Sequence, residues 1–159
     1  MTARQALTHP WLTIRVQLAL GVIFIAAALP KIADPPSFAH MVYNYRLVPG
    51  GLVNLMAMTM PWVELLAGLA LILGVWKRAA LMLIGAMLAV FIIAIGINLG
   101  RGNAIDCGCF NVADAGKSYE QRIFDMKVDV LRDLGMLLMV AQVLMAERKN
   151  GDGLRTRPT

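Results

Sequence analysis

The chain has 159 residues, of which 58% are hydrophobic and 16% are charged, and its mean hydropathy is +0.65. This composition excludes an ordinary water-soluble domain and indicates a membrane protein with one compact unit. The formal net charge is +5, but the basic residues are scattered among loops and ends, which argues against a nucleic-acid-binding protein.

Four apolar stretches predict membrane-spanning helices of about 20 residues each. They cover residues 11–29, 52–76, 79–99 and 126–146. The last stretch begins with Asp129, Arg132 and Asp133, so it either protrudes from the membrane or turns these charges towards a polar bundle interior. We expect the first stretch to be retained and not cleaved as a signal peptide, because it is long and Pro30-Lys31-Ile32 is no cleavage site. The predicted fold is an all-α, polytopic four-transmembrane-helix bundle.

The segment between the first two spans predicts a short interfacial helix. Asp34-Pro35-Pro36 is typical of a turn, and Ser37 is a candidate helix cap. Apolar side chains then recur at helical spacing at Phe38, Met41, Val42 and Tyr45. We expect the aromatic side chains at headgroup depth, with the helix either covering the bundle or offering a docking surface.

The spans form one predicted domain over residues 1–150, followed by a disordered cytoplasmic tail at 151–159. Four spans place both ends on one side of the membrane, together with the short turn at Lys77-Arg78. That turn and the two ends carry eight of the fifteen basic residues, and basic residues close to spans favour the cytoplasm. The sequence therefore predicts a bacterial inner-membrane protein with both termini cytoplasmic and residues 103–126 in the periplasm.

The two cysteines lie together in that periplasmic segment, in Asp106-Cys107-Gly108-Cys109-Phe110. A disulfide between Cys107 and Cys109 closes a tight ring, which favours a labile, redox-active bond. A structural disulfide that only pins the segment is the alternative. A metal site is not predicted, because a closed tetrahedral site needs four ligands. Arg101 favours the thiolate and Asp106 opposes it.

Several polar residues within or beside the spans are further candidates for function. Glu64 lies within the second span, on the order of 18 Å from its outer end at helical rise, and a carboxylate at that depth needs a partner or a proton path. Arg132 and Lys31 are the candidate partners, in a structural ion pair or a proton relay. We expect Asn98, Arg132 and Asp133 to cluster beneath the cysteines as hydrogen-bonding links between helices.

Three aromatic residues, Trp62, Phe91 and Phe110, are candidates for an apolar quinone pocket or for ordinary packing. A quinone is the cofactor that such a pocket would hold. No other cofactor is predicted.

Short motifs occur in a specific order over about residues 12–146. They are Gly21-x-x-Phe24, Pro30-Lys31-Ile32-x-Asp34-Pro35, Tyr45-Arg46-Leu47-Val48-Pro49, Pro61-Trp62-x-Glu64-Leu65-Leu66-x-Gly68, Leu71-x-x-Gly74, Asp106-Cys107-Gly108-Cys109-Phe110 and Arg132-Asp133. In this order they resemble the MauE/DoxX-like family of four-helix membrane proteins, in particular its methylamine utilisation branch.

The resemblance implies a role in maturing periplasmic proteins. It implies processing or disulfide formation of the disulfide-rich small subunit of methylamine dehydrogenase, beside a thioredoxin-like partner. DoxX-like relatives are linked to thiol or sulfur oxidation coupled to quinone. Four-helix thiol oxidases of the DsbB and vitamin K epoxide reductase families use two cysteine pairs, whereas this sequence has one. The expected function is thiol-disulfide exchange with periplasmic client thiols. The alternatives are a non-catalytic assembly factor and a small-molecule or ion carrier that uses Glu64.

Overall fold

A computed structural model describes residues 9–105 and 118–155, with side chains described as far as residue 147. Within these ranges the chain forms five helices and no strands. The helices are α1 (Pro10–Ala33), α2 (Pro35–Asn44), α3 (Gly50–Leu73), α4 (Lys77–Gly100) and α5 (Tyr119–Arg155). Cys107, Cys109 and Phe110 lie outside the described residues.

Three of these helices, α1, α3 and α4, are each 24 residues long and apolar enough to cross a membrane, in a search of the described residues alone. The chain is therefore a helical membrane bundle, which confirms the predicted fold class. Helix α5 has 37 residues and is roughly 55 Å long at helical rise. Its charged first half sets it apart from the other three, so a count of four spans stays a prediction.

The distribution of polarity is that of a protein surrounded by lipid. Large apolar side chains such as Trp62, Leu73 and Leu138 are exposed on the outer surface. The buried side chains include Lys31 and Glu64, which face other helices. This is the usual arrangement in membrane proteins, where ionisable groups face the bundle interior because lipid offers them no hydrogen bonds.

Helix α1 extends to Ala33, four residues beyond the predicted end of the first span at residue 29. The helix continues through Lys31 and ends before Pro35, because the proline ring disfavours helical geometry at the preceding residue, Asp34. Asp34 has φ −135° and ψ 77°. The extension carries Lys31 into the interior of the bundle.

The cap of α2 differs from the prediction. Asp34, and not Ser37, is the N-cap residue, because its carboxylate accepts hydrogen bonds from the Ser37 N–H (3.2 Å) and the Ser37 hydroxyl (2.6 Å). These two bonds hold the pKa of Asp34 below its usual value. The Asp-Pro-Pro-Ser sequence thus forms the first turn of a helix directly, without a separate turn before it.

Helix α2 lies against α3 and covers that part of the bundle. Its apolar face is buried, with Phe38 only 2% exposed, and it contacts Val53 and Ala57 of α3. Tyr45, which follows the helix, is also buried. The two aromatic side chains expected at headgroup depth are therefore inside the protein, and the covering interpretation of this helix is the one that the packing favours.

Helices α1 and α3 make a close backbone crossing at two glycines. A Cβ atom added to Gly68 would lie 2.8 Å from the Gly21 carbonyl oxygen, and one added to Gly21 would lie 2.9 Å from the Gly68 oxygen. Any larger residue would force the helices apart, so glycine is required at both positions by the approach itself. A shared apolar core on one side of this crossing joins α1, α3, α4 and α5 through Leu20, Leu71, Leu81, Ile84 and Val143.

The connection between α3 and α4 is short. Gly74 ends α3 in the left-handed conformation (φ 71°), which glycine adopts without strain, and α4 begins three residues later. Helix α5 continues past residue 151, the predicted start of the tail, as far as Arg155. Residues 156–159 lie outside the described residues.

Candidate functional site

The centre of the bundle contains a buried ion pair between α1 and α3. The Lys31 Nζ atom donates to both carboxylate oxygens of Glu64, at 2.7 Å each. The two side chains are only 2% and 3% exposed. Of the two partners predicted for Glu64, the structure selects Lys31, and the close crossing of α1 and α3 at their glycines brings these two residues together.

The ammonium group of Lys31 also faces two aromatic rings. Its Nζ atom lies 5.2 Å from the ring centroid of Phe38 and 5.6 Å from that of Phe91. Both distances are within the range of cation–π attraction, which strengthens when the cation is removed from water. Groups from α1, α2, α3 and α4 therefore surround one buried cation.

A second charged group on α5 completes this side of the bundle. Arg132 pairs with the carboxylates of Asp129 at 2.7 Å and Asp133 at 3.1 Å. Asp133 is buried, and Lys31 lies close enough to act on it electrostatically. A cavity of about 30 Å³ is lined by both pairs, Lys31 with Glu64 and Arg132 with Asp133. We call these four residues the charge cluster.

Asn98 is buried in the last turn of α4. Its side-chain amide donates to the carbonyl oxygens of Tyr45 (3.2 Å) and Ala94 (3.0 Å). It therefore ties the end of α4 to the segment after α2. The link between elements that these bonds make is to backbone carbonyl groups, whereas Arg132 pairs with carboxylates on its own helix, α5.

The residues before and after the cysteine segment are hydrogen-bonded to each other. The Tyr119 hydroxyl, at the start of α5, donates to the Gly102 carbonyl oxygen at 3.0 Å. Beside this bond lies an open polar recess of about 320 Å³, lined in part by Asn44, Arg46 and Arg122. Arg101, the residue before Gly102, is exposed. Cys107 and Cys109 themselves are outside the described residues.

The three aromatic residues predicted to line one pocket have different positions. Phe91 borders two cavities, the small one beside the charge cluster and a larger apolar one between α2, α3 and α4. Trp62 is 55% exposed and lines neither of them, because it points away from the helix face that holds Pro61, Glu64 and Gly68. Phe110 lies outside the described residues.

Two contributions to the site were missed in the sequence. The Phe38 ring was predicted at headgroup depth, but its position beside the Lys31 ammonium was not predicted. Gly21 and Gly68 were noted only as parts of motifs, although their contact positions the ion pair. A signal for the second was present, since glycine within an apolar span is typical of a close approach between membrane helices.

The fold and this site define a class, that of small helical membrane proteins with a buried ion pair at the meeting point of their helices. The particular family follows from comparison with known sequences. The chain belongs to the family described as methylamine utilisation protein MauE, whose sequence model matches residues 9–146. This confirms the family resemblance that the ordered motifs indicate.

Curated relatives support the assignment. The chain is 37% identical over 101 residues to the methylamine utilization protein MauE of Methylophilus methylotrophus, covering 63% of this chain and 53% of the relative. It is 40% identical over 105 residues to the protein of that name from Methylorubrum extorquens, covering 65% and 56%. The chain spans about half the length of these relatives. No solved structure gives a significant match.

Proposed function

We propose that this chain is a membrane accessory protein of methylamine utilisation in which Cys107 and Cys109 exchange electrons with thiols of a periplasmic protein. Membership of the family and the names of its relatives support the first part. The spacing of the two cysteines in the sequence supports the second, because a disulfide across one residue is readily reduced.

One structural observation carries the proposal furthest. The Tyr119–Gly102 hydrogen bond holds together the two points at which the cysteine segment joins the bundle, and the polar recess beside them is open and carries Arg46 and Arg122. Cationic side chains near a thiol favour its thiolate form, which is the reactive species in exchange.

The proposed reaction transfers two electrons. A client dithiol attacks the Cys107–Cys109 disulfide through a mixed disulfide, so that the client gains a disulfide and both cysteines become thiols. Returning the pair to the disulfide passes two electrons and two protons to an acceptor in the membrane, for which we propose a quinone that becomes the quinol. The client implied by the family resemblance is the disulfide-rich small subunit of methylamine dehydrogenase, or a thioredoxin-like protein that serves it.

The charge cluster supports this scheme in a structural role. Both oxygens of Glu64 are bound to Lys31, so the carboxylate is held in place and is not presented to a passing cation. This arrangement favours the redox proposal over an ion carrier that uses Glu64.

The reduction potential of the cysteine pair tests the proposal. The purified protein is equilibrated with glutathione buffers and the free thiols are trapped. We expect a value of roughly −120 to −230 mV, the range of disulfide oxidants and isomerases. A value below about −300 mV is that of a structural disulfide and would leave a non-catalytic assembly factor as the function.

A second experiment identifies the client. The variants Cys107→Ser and Cys109→Ser each retain one thiol, and we expect one of them to accumulate a mixed disulfide with a periplasmic protein in cells that grow on methylamine. The double variant C107S/C109S is the matched control and accumulates none. Capture of no client by either single variant would contradict exchange.

A further inference from the structure

An apolar cavity of about 100 Å³ lies between α2, α3 and α4, separate from the cysteine segment. Its wall contains the aromatic rings of Phe38, Tyr45 and Phe91 and the thioethers of Met56 and Met60. None of the described residues that line it is charged, and almost all of the exposed wall is carbon or sulfur. A cavity with so few polar groups does not hold water well.

The composition of the wall favours a flat ring over a saturated chain. Aromatic side chains attract another π-system through edge-to-face and offset-stacked contacts, and methionine sulfur makes favourable contacts with aromatic rings. The volume of about 100 Å³ is of the same order as that of an apolar cavity of about 150 Å³ that is known to take up benzene, so a single ring is the largest group expected there. Three aromatic and two thioether side chains around such a volume match a six-membered planar ring.

The wall of the cavity extends to the outer surface of the bundle. Val90 and Leu47 line it and are 57% and 38% exposed. In a membrane, a molecule dissolved in the bilayer would therefore meet this part of the wall without passing through water.

The inner wall of the cavity touches the charge cluster. Phe38 and Phe91 line the cavity and are also the two rings beside the Lys31 ammonium. A ring bound in the cavity would stack on the two aromatic side chains that lie beside Lys31 of the buried ion pair. Binding is thereby connected to the most polar part of the bundle interior through two aromatic rings.

We propose that this cavity is a binding site for the planar six-membered ring of an apolar, membrane-dissolved molecule that enters between α2 and α4. Aromatic and quinonoid rings with a hydrocarbon tail belong to this class. The site does not require the cysteines, and its existence is independent of the redox function proposed above.

The test compares two probes that differ only in the ring, decylbenzene and decylcyclohexane. Each is added at the same mole fraction to the full-length protein in maltoside micelles, and the thermal midpoint is measured. We expect decylbenzene to raise Tm saturably, by about 4 °C at ten times its dissociation constant, and decylcyclohexane to raise it much less. Neither probe reacts with thiols, so the result says nothing for or against the cysteine chemistry.

Two variants on α4 locate the binding. Ala94→Phe places a ring in the cavity and is expected to abolish the Tm rise, whereas Ile93→Phe adds the same ring on the exposed neighbouring position and is expected to preserve it. If A94F does not fold, Ala94→Leu fills part of the same space. An equal rise with decylcyclohexane, or an unchanged rise in the Ala94 variant, would overturn the proposal, the first result pointing to an ordinary lipid chain as the occupant.

Discussion

The Lys31 ammonium is the most completely surrounded charge in the described structure. Two carboxylate oxygens at 2.7 Å and two aromatic rings contact it, and the surrounding protein leaves its side chain only 2% exposed. Ion pairs of this kind are costly to bury, but they are far more costly to leave half-made, because the remaining charge has no solvent. The pair thus specifies how α1 and α3 align more than it adds net stability.

Removal of one partner is expected to destabilise the protein strongly. Lys31→Met or Glu64→Leu leaves an uncompensated buried charge, with an expected loss of about 3–5 kcal/mol in the free energy of unfolding. The double variant K31M/E64L removes both charges and is expected to recover most of that loss. Unfolding in detergent provides the measurement. Additive losses in the double variant would show that the two residues do not act as a pair.

Asp34 gives a pH dependence at the start of α2. Its pKa is lowered by the bonds from Ser37, so the folded state favours the carboxylate. The resulting stabilisation is present above the ordinary pKa of 3.8 and is lost as the pH falls through the lowered value of the folded state. Asparagine is also a good N-cap residue but does not titrate.

We therefore expect the Tm of wild type, measured relative to that of Asp34→Asn, to be constant near neutral pH and to decrease in acid below pH 3.8. A Tm difference that stays the same across this range would show that the Ser37 bonds do not depend on the charge of Asp34.

At the scale of elements, the arrangement of α1 against α3 depends on the absence of side chains at one point. The backbones meet where Gly21 and Gly68 face each other, and this contact sets the distance across which Lys31 reaches Glu64. Apolar surface alone does not select a register between two lipid-soluble helices, so close packing and the ion pair must do so.

Gly68→Ala is expected to destabilise the bundle by about 1–3 kcal/mol, the usual cost of overpacking. Its Cβ atom would lie 2.8 Å from the Gly21 oxygen, and backbone cannot move aside without shifting the helix. Gly96→Ala is the matched control, because nothing lies within 4 Å of its added Cβ atom. That variant is expected to be neutral or slightly stabilising, since alanine has the higher helix propensity. Equal Tm values for the two variants would contradict the close crossing.

On the scale of the whole molecule, the three apolar helices determine how the chain lies in the membrane. Helices α1, α3 and α4 satisfy the requirements for spanning, and α5 is long enough to cross and to protrude at either end. With four spans, the Lys77-Arg78 turn and both termini lie on the same side. The positive-inside rule predicts that this side is the cytoplasm.

Reporter fusions test this topology. We expect a fluorescent protein that folds only in the cytoplasm to be active after residue 147, and alkaline phosphatase, which requires the periplasm, to be active after residue 105. A fusion of each reporter at Gly74, within the α3–α4 turn, serves as the internal control and is expected to be active only for the cytoplasmic reporter. Alkaline phosphatase activity at Gly74 would show that the orientation is the reverse of the predicted one. Alkaline phosphatase activity after residue 147 but not at Gly74 would contradict the count of four spans.

The helices themselves were predictable from the sequence because a bilayer imposes a simple requirement. Any segment within it must satisfy its own backbone hydrogen bonds, so apolar runs of sufficient length become helices whatever their neighbours are. The apolar runs at 52–76 and 79–99 correspond to α3 and α4, and the ordered motifs identify the family. The depth of Glu64 in its apolar run likewise predicts that it has a partner.

Only the tertiary structure decided which residues meet. The sequence offered Arg132 and Lys31 equally as partners of Glu64, and the glycine crossing and the extension of α1 past residue 29 selected Lys31. Trp62 and Phe91 seemed equivalent as aromatic residues in spans, yet one faces outward and the other lines two cavities. The physical reason is that hydropathy determines where a helix lies along the membrane normal, whereas its rotation and its partners depend on packing between helices far apart in the chain.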